Sequence, residues 1–303
     1  MTITASTTPD AGPFGVAVPQ TPLQDEKLPL RTRLRRLARP QIVIGGTVVL
    51  LWLLTIAFAG VLAPHDPFAA SGGRLLSPSG EHWFGTDSLG RDVFSRVLHG
   101  ARQSLPIAVL AITISVLIGS LVGAIAGFLG GFVDAVLMRL ADITMAFPSI
   151  LLAMAVAAAL GPGLSNAFLA IVAVWWPIYA RLVRGQILSI KEREHVLAAR
   201  AIGMGRFAIL RRHVLPHSLT PVSVNATMDL GTIIILVASL SFLGLGASPP
   251  SPEWGAMITD GTANFYQWWI AAGPGLAMVS IVLAVNFLGD GLRDVFDVRN
   301  RGR

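Results

Sequence analysis

Long apolar runs without a charged residue are the feature that most constrains this chain. Ile42–Ala63 and Ser104–Gly131 each exceed the roughly 20 apolar residues that an α-helix needs to cross a lipid bilayer. Hydrophobic residues make up 53% of the 303 residues and charged residues only 13%, whereas soluble domains carry about 25% charged residues. These values argue against a soluble enzyme and against intrinsic disorder, and they predict an all-α integral membrane protein.

Further apolar runs contain a few polar residues and bring the predicted number of transmembrane helices to six. They are Val133–Leu160, Leu164 to about Val183, Thr220–Ala247 and Ile270–Leu292. An even number of spans places both chain ends on the same side of the membrane. The chain has no cysteine, which excludes disulfides, thiolate nucleophiles and cysteine metal sites.

Basic residues indicate the orientation of these spans. Arginines and lysines cluster before the first span, between the fourth and fifth spans, and after the sixth. By the positive-inside rule, both termini and the 185–216 loop are expected to be cytoplasmic, and the 64–103 and 248–269 loops face outside. The net charge of +6 therefore reflects topology, which argues against a nucleic-acid partner.

The membrane domain is expected over residues 41–297, between two cytoplasmic tails. Residues 1–40 begin with a Thr-, Pro- and Ala-rich stretch that is typical of disorder, and residues 298–303 form the second tail. A cleaved signal peptide is the alternative interpretation of 31–63. Its apolar run of about 22 residues exceeds the usual range of about 7–15, which favours a retained helix.

The sequence contains no recognisable catalytic constellation. A phosphate-binding loop needs a lysine after a glycine, and neither Lys27 nor Lys191 follows one. His213 and His217 are four residues apart, but Pro216 lies between them, and no metal site is expected. We therefore expect a non-enzymatic conduit or scaffold that has no cofactor of its own and draws its energy from elsewhere.

The 185–216 loop contains a short predicted helix over 194–202, with Val196, Ala199 and Ile202 on one face. Gly203 and Gly205 end it. A helix of this length is marginal in isolation. It is therefore expected either to lie on the membrane surface or to dock into a groove of a cytoplasmic protein.

The pattern Ala198-Ala199, Gly203, Leu215-Pro216 resembles the coupling loop of ABC importer permeases, with Leu197 and His213 departing from the general signature. The longer segment AARAIGMGRFAILRRHVLPHSLTP is similar to the dipeptide and oligopeptide branch of that family. The resemblance implies a type I importer permease fold whose loop inserts a helix into an ATPase subunit. It assigns that coupling role to Glu194, Ala198, Ala199, Arg200, Gly203 and Gly205.

Two outer loops resemble the C-type permease subunit of the same branch. His82–Leu105 is rich in turn formers and alternating charges. Asp87, Arg91 and Asp92 are expected to pair locally and to hold the loop at the mouth of the pathway, and the spacing of a calcium-binding EF-hand is absent. Gly244–Gly261 is the second loop. The predicted outer gate comprises Thr86, Asp87, Arg91, Asp92, Glu253 and Trp254.

Polar residues inside the spans have two interpretations. Arg139 and Asp142 are three residues apart on one helix, and two Asn–Asp pairs are four apart, so the members of each pair share a face. They form interhelical hydrogen bonds and ion pairs, or they line a solute pathway. The predicted pathway residues are Asp142, Asn225, Asp229, Asn286 and Asp290. Gly119, Gly123 and Gly127 form a stripe for close helix packing, either within the chain or with a second permease.

The resemblance implies a multi-pass permease of the bacterial plasma membrane that imports dipeptides or oligopeptides by alternating access. Its implied partners are a second homologous permease, two ATPase subunits that hold ATP and magnesium, an extracytoplasmic peptide-binding protein and membrane lipid. Nickel or another small solute is the alternative cargo. An ion-driven secondary transporter, or a receptor whose helical loop recruits a signalling protein, is the alternative from another class.

Overall fold

The structure is a computed structural model that describes residues 40–296, and the regular structure in this range is helical. Most of the expected tails 1–40 and 298–303 lies outside the described residues. The helices are α1 Pro40–Leu62, α2 Val93–Leu129, α3 Gly131–Met145, α4 Ser149–Leu160, α5 Leu164–Lys191, α6 Glu194–Ala201, α7 Arg206–Ile209, α8 Leu215–Phe242, α9 Trp254–Ala263 and α10 Trp269–Phe296. A π-helical turn, Leu210–Val214, joins α7 to α8.

Five of these helices are long and apolar enough to cross a membrane, namely α1, α2, α5, α8 and α10. The predicted third span is instead two helices, α3 and α4, bent by 91° at residues 146–148. Pro148 explains the break, because a proline disfavours helical backbone at the residue before it and supplies no backbone N–H. The predicted count of six spans is reached when this bent pair is taken as one.

The α2–α5 contact is built on the predicted glycine stripe. A Cβ at Gly119 would lie 2.3 Å from the carbonyl oxygen of Trp176, and a Cβ at Gly123 would lie 2.3 Å from that of Ala180. Only glycine therefore allows the two backbones to approach this closely. The interpretation of the stripe as packing within the chain is confirmed.

Helix α5 lies at the centre of the bundle, where Ile171, Tyr179 and Ile187 are completely buried. Helix α1 is peripheral and exposes most of its apolar side chains. It rests on α10, where a Cβ at Gly45 would lie 2.6 Å from the Ala284 carbonyl oxygen. Most of the surface of α1 is therefore available to lipid or to another subunit.

The expected loops are shorter and more structured than the sequence indicated. Helix α2 begins at Val93, inside the predicted 64–103 loop, and α5 continues to Lys191, inside the predicted 185–216 loop. The 248–269 loop contains α9. The loop bounds were predicted from the length of the apolar runs. A helix that continues beyond its apolar run leaves no signal of this kind.

Candidate functional site

The segments 64–92 and 248–268 lie at one end of the bundle and are here called the loop cap. Asp92 is the N-cap residue that directly precedes α2, and its side chain contacts two parts of this region. Its side chain accepts hydrogen bonds from the Ser95 backbone N–H at 2.8 Å and from the Ser95 hydroxyl at 2.7 Å. His82 Nδ1 lies 2.9 Å from the other carboxylate oxygen. Asp92 is thus both a helix N-cap and the anchor of the His82 ring.

A second buried carboxylate, Asp87, holds two arginines. Arg91 Nε donates to it at 2.6 Å, and Arg96 Nε lies 3.4 Å away. The predicted local pairing of Asp87 with Arg91 is confirmed, whereas Asp92 pairs with His82 rather than with an arginine. Arg96 was not among the predicted residues, because a single arginine at a helix start has no sequence signal of its own.

Arg96 joins the two segments of the loop cap. Its guanidinium donates to the carbonyl oxygen of Pro67 at 2.9 Å and to that of Ser251 at 3.2 Å. The residue is only 4% exposed. Because these acceptors lie on different segments, Arg96 fixes the position of the 248–268 segment relative to the start of α2.

Glu253 and Trp254 anchor the second segment against α2. The Trp254 indole donates to the Val97 carbonyl oxygen at 3.0 Å, and Ser104 Oγ donates to Glu253 at 3.1 Å. Both residues are completely buried. Burial raises the pKa of the Glu253 carboxyl group, although hydrogen bonds from Gly255, Ala256, Ser241 and Ser104 oppose this effect.

The polar residue Thr86 completes the set that was predicted as an outer gate. Its hydroxyl donates to the Gly73 carbonyl oxygen at 2.6 Å, and the Trp269 indole donates to the Thr86 carbonyl oxygen at 3.3 Å. All six predicted gate residues are therefore buried or nearly so and lie in the loop cap. The structure brings them together at the same end of the bundle as the start of α2.

Inside the helical bundle, Asp229 of α8 is bound to α5. Tyr179 donates its hydroxyl to the carboxylate at 2.7 Å, and the Trp175 indole donates at 3.3 Å. The sequence offered no same-helix partner for Asp229, and its partners indeed come from another helix. Tyr179 and Trp175 were not predicted as partners of Asp229, because aromatic residues in an apolar span are typical of the buried core.

The remaining predicted pathway residues are distributed over α8 and α10. Asn225 and Asn286 are half-buried, and Asp290 is exposed near the end of α10. A Cβ at Gly231 would lie 3.6 Å from the Asn286 amide nitrogen. Asn286 therefore faces α8 at Gly231, while Asp290 lies nearer the end of the bundle opposite the loop cap.

Ion pairs between α3 and α5 hold the other end of the bundle. Asp134 accepts from Arg184 through both carboxylate oxygens, at 2.5 and 2.7 Å. Asp142 pairs with Arg181 rather than with Arg139 of its own helix. Asp142 is exposed, so it lies at the surface of this chain.

Helix α6 was predicted to couple the chain to an ATPase, and it has one buried and one exposed side. Val196 is completely buried and Ala199 is 6% exposed, whereas Ile202 is 80% exposed. The predicted shared face of these three residues is therefore wrong at Ile202, because the helix ends at Ala201 and the chain turns at Gly203. Gly203 has φ +82, which favours glycine.

A cleft of about 710 Å³ lies between α6 and the segment that follows it, and three of the six predicted coupling residues line it, namely Arg200, Gly203 and Gly205. The apolar side chains of Leu197, Met204 and Leu210 also line it. Glu194 and Ala198 are exposed outside the cleft, whereas Ala199 faces the interior of this chain. Five of the six predicted coupling residues are accessible to a partner.

The chain is similar to known membrane transport proteins. The family described as "Binding-protein-dependent transport system inner membrane component" matches residues 119–302. A probable D,D-dipeptide transport permease of Escherichia coli is 46% identical over 87% of this chain and 89% of its own length. A dipeptide transport permease of Alkalihalophilus pseudofirmus is 41% identical over 96% of this chain and 98% of its own length. A glutathione transport permease of Shigella flexneri is 47% identical, with 88% and 90% covered.

A solved structure supports the same fold. The inward-facing MetNI methionine ABC transporter matches with a TM-score of 0.55 and 22% identity over 66% of this chain and 96% of that chain. The fold is that of a type I ABC importer permease. The chain belongs to the binding-protein-dependent transport system inner membrane component family, and it is the permease subunit of an ABC importer.

Proposed function

We propose that this permease imports dipeptides or oligopeptides. The support comes from relatives at 41–47% identity whose names give dipeptides, D,D-dipeptides and glutathione as cargo. All three names describe short peptides or a peptide-like thiol. Nickel or another small solute remains the alternative cargo within the family.

The plasma membrane is the proposed location, with both termini in the cytoplasm. The arginine-rich 185–216 segment then faces the cytoplasm by the positive-inside rule, and the loop cap faces outside. A contact between α1 and α10 supports the placement of both termini on the same side of the membrane. Ile42 near the start of α1 lies against Gly291 near the end of α10.

Two ATPase subunits, which hold ATP and magnesium, are proposed partners. One of them would dock on α6 and its cleft, and the other on the coupling loop of the second permease. The observation that carries this proposal is that one side of α6 is buried and the other side is exposed. Val196 and Ala199 attach the helix to the bundle, while Leu197 remains 48% exposed beside the cleft. A helix fixed on one side and apolar on the other can pass a movement of a bound subunit to the spans.

A second homologous permease is proposed to face this one across the pathway, and an external peptide-binding protein is proposed to deliver the cargo to the loop cap. The buried polar contacts of the cap favour a preformed receiving surface. Asp229 with Asn225 and Asn286 is the proposed pathway lining of this subunit, with Asp142 and Asp290 nearer its exit. Alternating access would then open this lining to each side in turn.

The test is peptide uptake by the whole transporter in proteoliposomes, with its partner subunits co-expressed from neighbouring genes. We expect uptake of a labelled dipeptide that requires both ATP and the binding protein. Uptake of nickel without uptake of peptide would select the alternative cargo. Uptake driven by a proton gradient without ATP would contradict the importer mechanism.

A further inference from the structure

Three side chains of the loop cap lie close together and take no part in the contacts that join its two segments. One ligand atom from each of His65, Glu81 and His82 lies within 4.8 Å of the other two. Two imidazoles and one carboxylate form a donor set that zinc binds in proteins. We propose that these residues form a zinc-type divalent metal site that ties the segment after α1 to the loop before α2.

The His82 ring is already oriented as a metal ligand. It is 2% exposed, and its Nδ1 lies 2.9 Å from the buried carboxylate of Asp92. Histidines that bind metals commonly donate their other ring N–H to a carboxylate, which fixes the tautomer and the ring. With Nδ1–H donated to Asp92, the lone pair of His82 is on Nε2.

Space beside this nitrogen depends on a glycine. A Cβ at Gly72 would lie 2.6 Å from His82 Nε2, closer than any van der Waals contact allows. Any other residue at position 72 would therefore fill the room in which an ion approaches Nε2. The missing side chain keeps the coordinating side of the ring open.

His65 supplies an atom that lacks a partner. Among the described residues, its buried Nδ1 has no hydrogen-bond partner. The Asp92 carboxylate oxygen is 3.9 Å away, beyond hydrogen-bond distance. Buried polar atoms are nearly always satisfied, and a bound cation would satisfy this one. The His65 and His82 rings are close enough to share an ion, with centroids 4.8 Å apart.

Glu81 completes the set from the solvent side. Its side chain is exposed, so it can turn toward the two rings without leaving a buried hydrogen bond unpaired. Its negative charge offsets part of the charge of a divalent ion. Water can occupy the fourth position of a tetrahedral site on this open side.

This site departs from the expectation of no metal in the chain. His65 and His82 are far apart in the sequence, and neither spacing nor helix periodicity brings them together. The turn at 79–85 places His82, whose carbonyl oxygen accepts from the Ser79 and Gly85 backbone N–H groups. The His65 backbone N–H donates to Ser95 Oγ at 3.1 Å, which places His65 beside the start of α2. The proposal rests on this geometry and is independent of the cargo of the transporter.

The test is zinc binding to the full-length chain in detergent, after removal of metals with EDTA. We expect about one zinc ion per chain by elemental analysis and calorimetry. His65→Gln and Glu81→Gln should weaken binding by about tenfold or more, since even outer-shell partners of a metal contribute about 10–100-fold. His99→Gln is the matched control, because His99 lies on α2 outside this group.

Folding is checked in the same experiment by thermal unfolding. In EDTA, His65→Gln and Glu81→Gln should unfold at the wild-type temperature. Zinc should raise the unfolding temperature of the wild type and of His99→Gln but not of the other two variants. Equal zinc affinity in all four proteins, or no stoichiometric zinc in the wild type, would overturn the proposal.

Discussion

At the scale of single residues, buried carboxylates determine the shape of the loop cap. Asp92 caps α2 through Ser95 and positions His82, while Asp87 holds Arg91 and Arg96. The pairing of Asp87 with Arg91 could be predicted, because the two residues are four apart in a turn-rich segment. The pairing of Asp92 with His82 could not, because it depends on a fold-back of the chain.

Glu253 gives the first prediction, which concerns pH. Its pKa in the folded chain is raised above its ordinary value of 4.5. As the pH rises from 4.5 through the raised pKa, the Glu253 carboxyl group loses its proton in the unfolded chain before it does so in the folded chain. The folded state is then disfavoured, so the contribution of Glu253 to stability is present at low pH and lost as pH rises. Glu253→Gln should remove this loss, as measured by thermal unfolding between pH 4 and pH 8.

Glu81→Gln in EDTA is the control for this measurement, because Glu81 is an exposed glutamate of the same cap. Its pH profile should follow that of the wild type. Parallel profiles for the wild type and Glu253→Gln would contradict the prediction.

At the scale of helices, close backbone contact sets the position of α2 against α5. The glycine stripe on α2 was visible in the sequence, since three glycines recur at intervals of four. Its partner surface on α5, which includes the Trp176 and Ala180 carbonyl groups, was not visible. A stripe of small residues predicts that another helix packs closely against it. It does not predict which helix that is.

The second prediction tests this contact. Gly123→Ala would place a Cβ 2.3 Å from the Ala180 carbonyl oxygen, so we expect a loss of about 1–3 kcal/mol in the free energy of unfolding. Gly185→Ala, where a Cβ would meet no atom within 4 Å, should be neutral or stabilising by up to about 1 kcal/mol. Thermal or denaturant unfolding in detergent measures both, and equal effects of the two substitutions would refute the close contact.

Helix α6 provides the third prediction through two adjacent alanines. Ala198 is exposed, and Ala199 is 6% exposed against the bundle. Ala198→Glu should leave stability unchanged and reduce both co-purification of the ATPase subunits and transport. Ala199→Glu should lower the unfolding temperature, because it buries a carboxylate in an apolar contact.

The opposite pattern for the two alanines would place the docking surface elsewhere. The sequence suggested both residues as coupling residues, because alanines on a short helix look alike from the sequence. Only burial distinguishes the residue that faces a partner from the one that attaches the helix to its own chain.

At the scale of the whole molecule, the class and the number of spans were predictable because apolar length and charge placement are properties of the sequence alone. The bend at Pro148 was not predicted, since the apolar run continues through it. The contacts of Asp229 with Tyr179 and Trp175 were also missed, because they join helices that are distant in the sequence. Sequence patterns thus predict elements well and their partners poorly.

The fourth prediction concerns the orientation of the whole chain. The natural sequence has no cysteine, so a single introduced thiol can be followed without background. Ala70 and Ala201 are both exposed, at opposite ends of the bundle. In cells that express this chain without ATPase subunits, a membrane-impermeant maleimide should label Ala70→Cys in intact cells and should label Ala201→Cys only after permeabilisation. Reversed labelling would invert the proposed topology.

The contact of α1 with α10 has a consequence for engineering the chain. Ile42 and Gly291 lie against each other, so the two ends of the described domain emerge as neighbours. Neighbouring ends are the geometric condition for circular permutation. A short linker could therefore join residue 296 to residue 40, with new ends opened in the exposed turn at 203–205. Such a permutant would carry its fusion tag or reporter beside α6 rather than at the edge of the bundle.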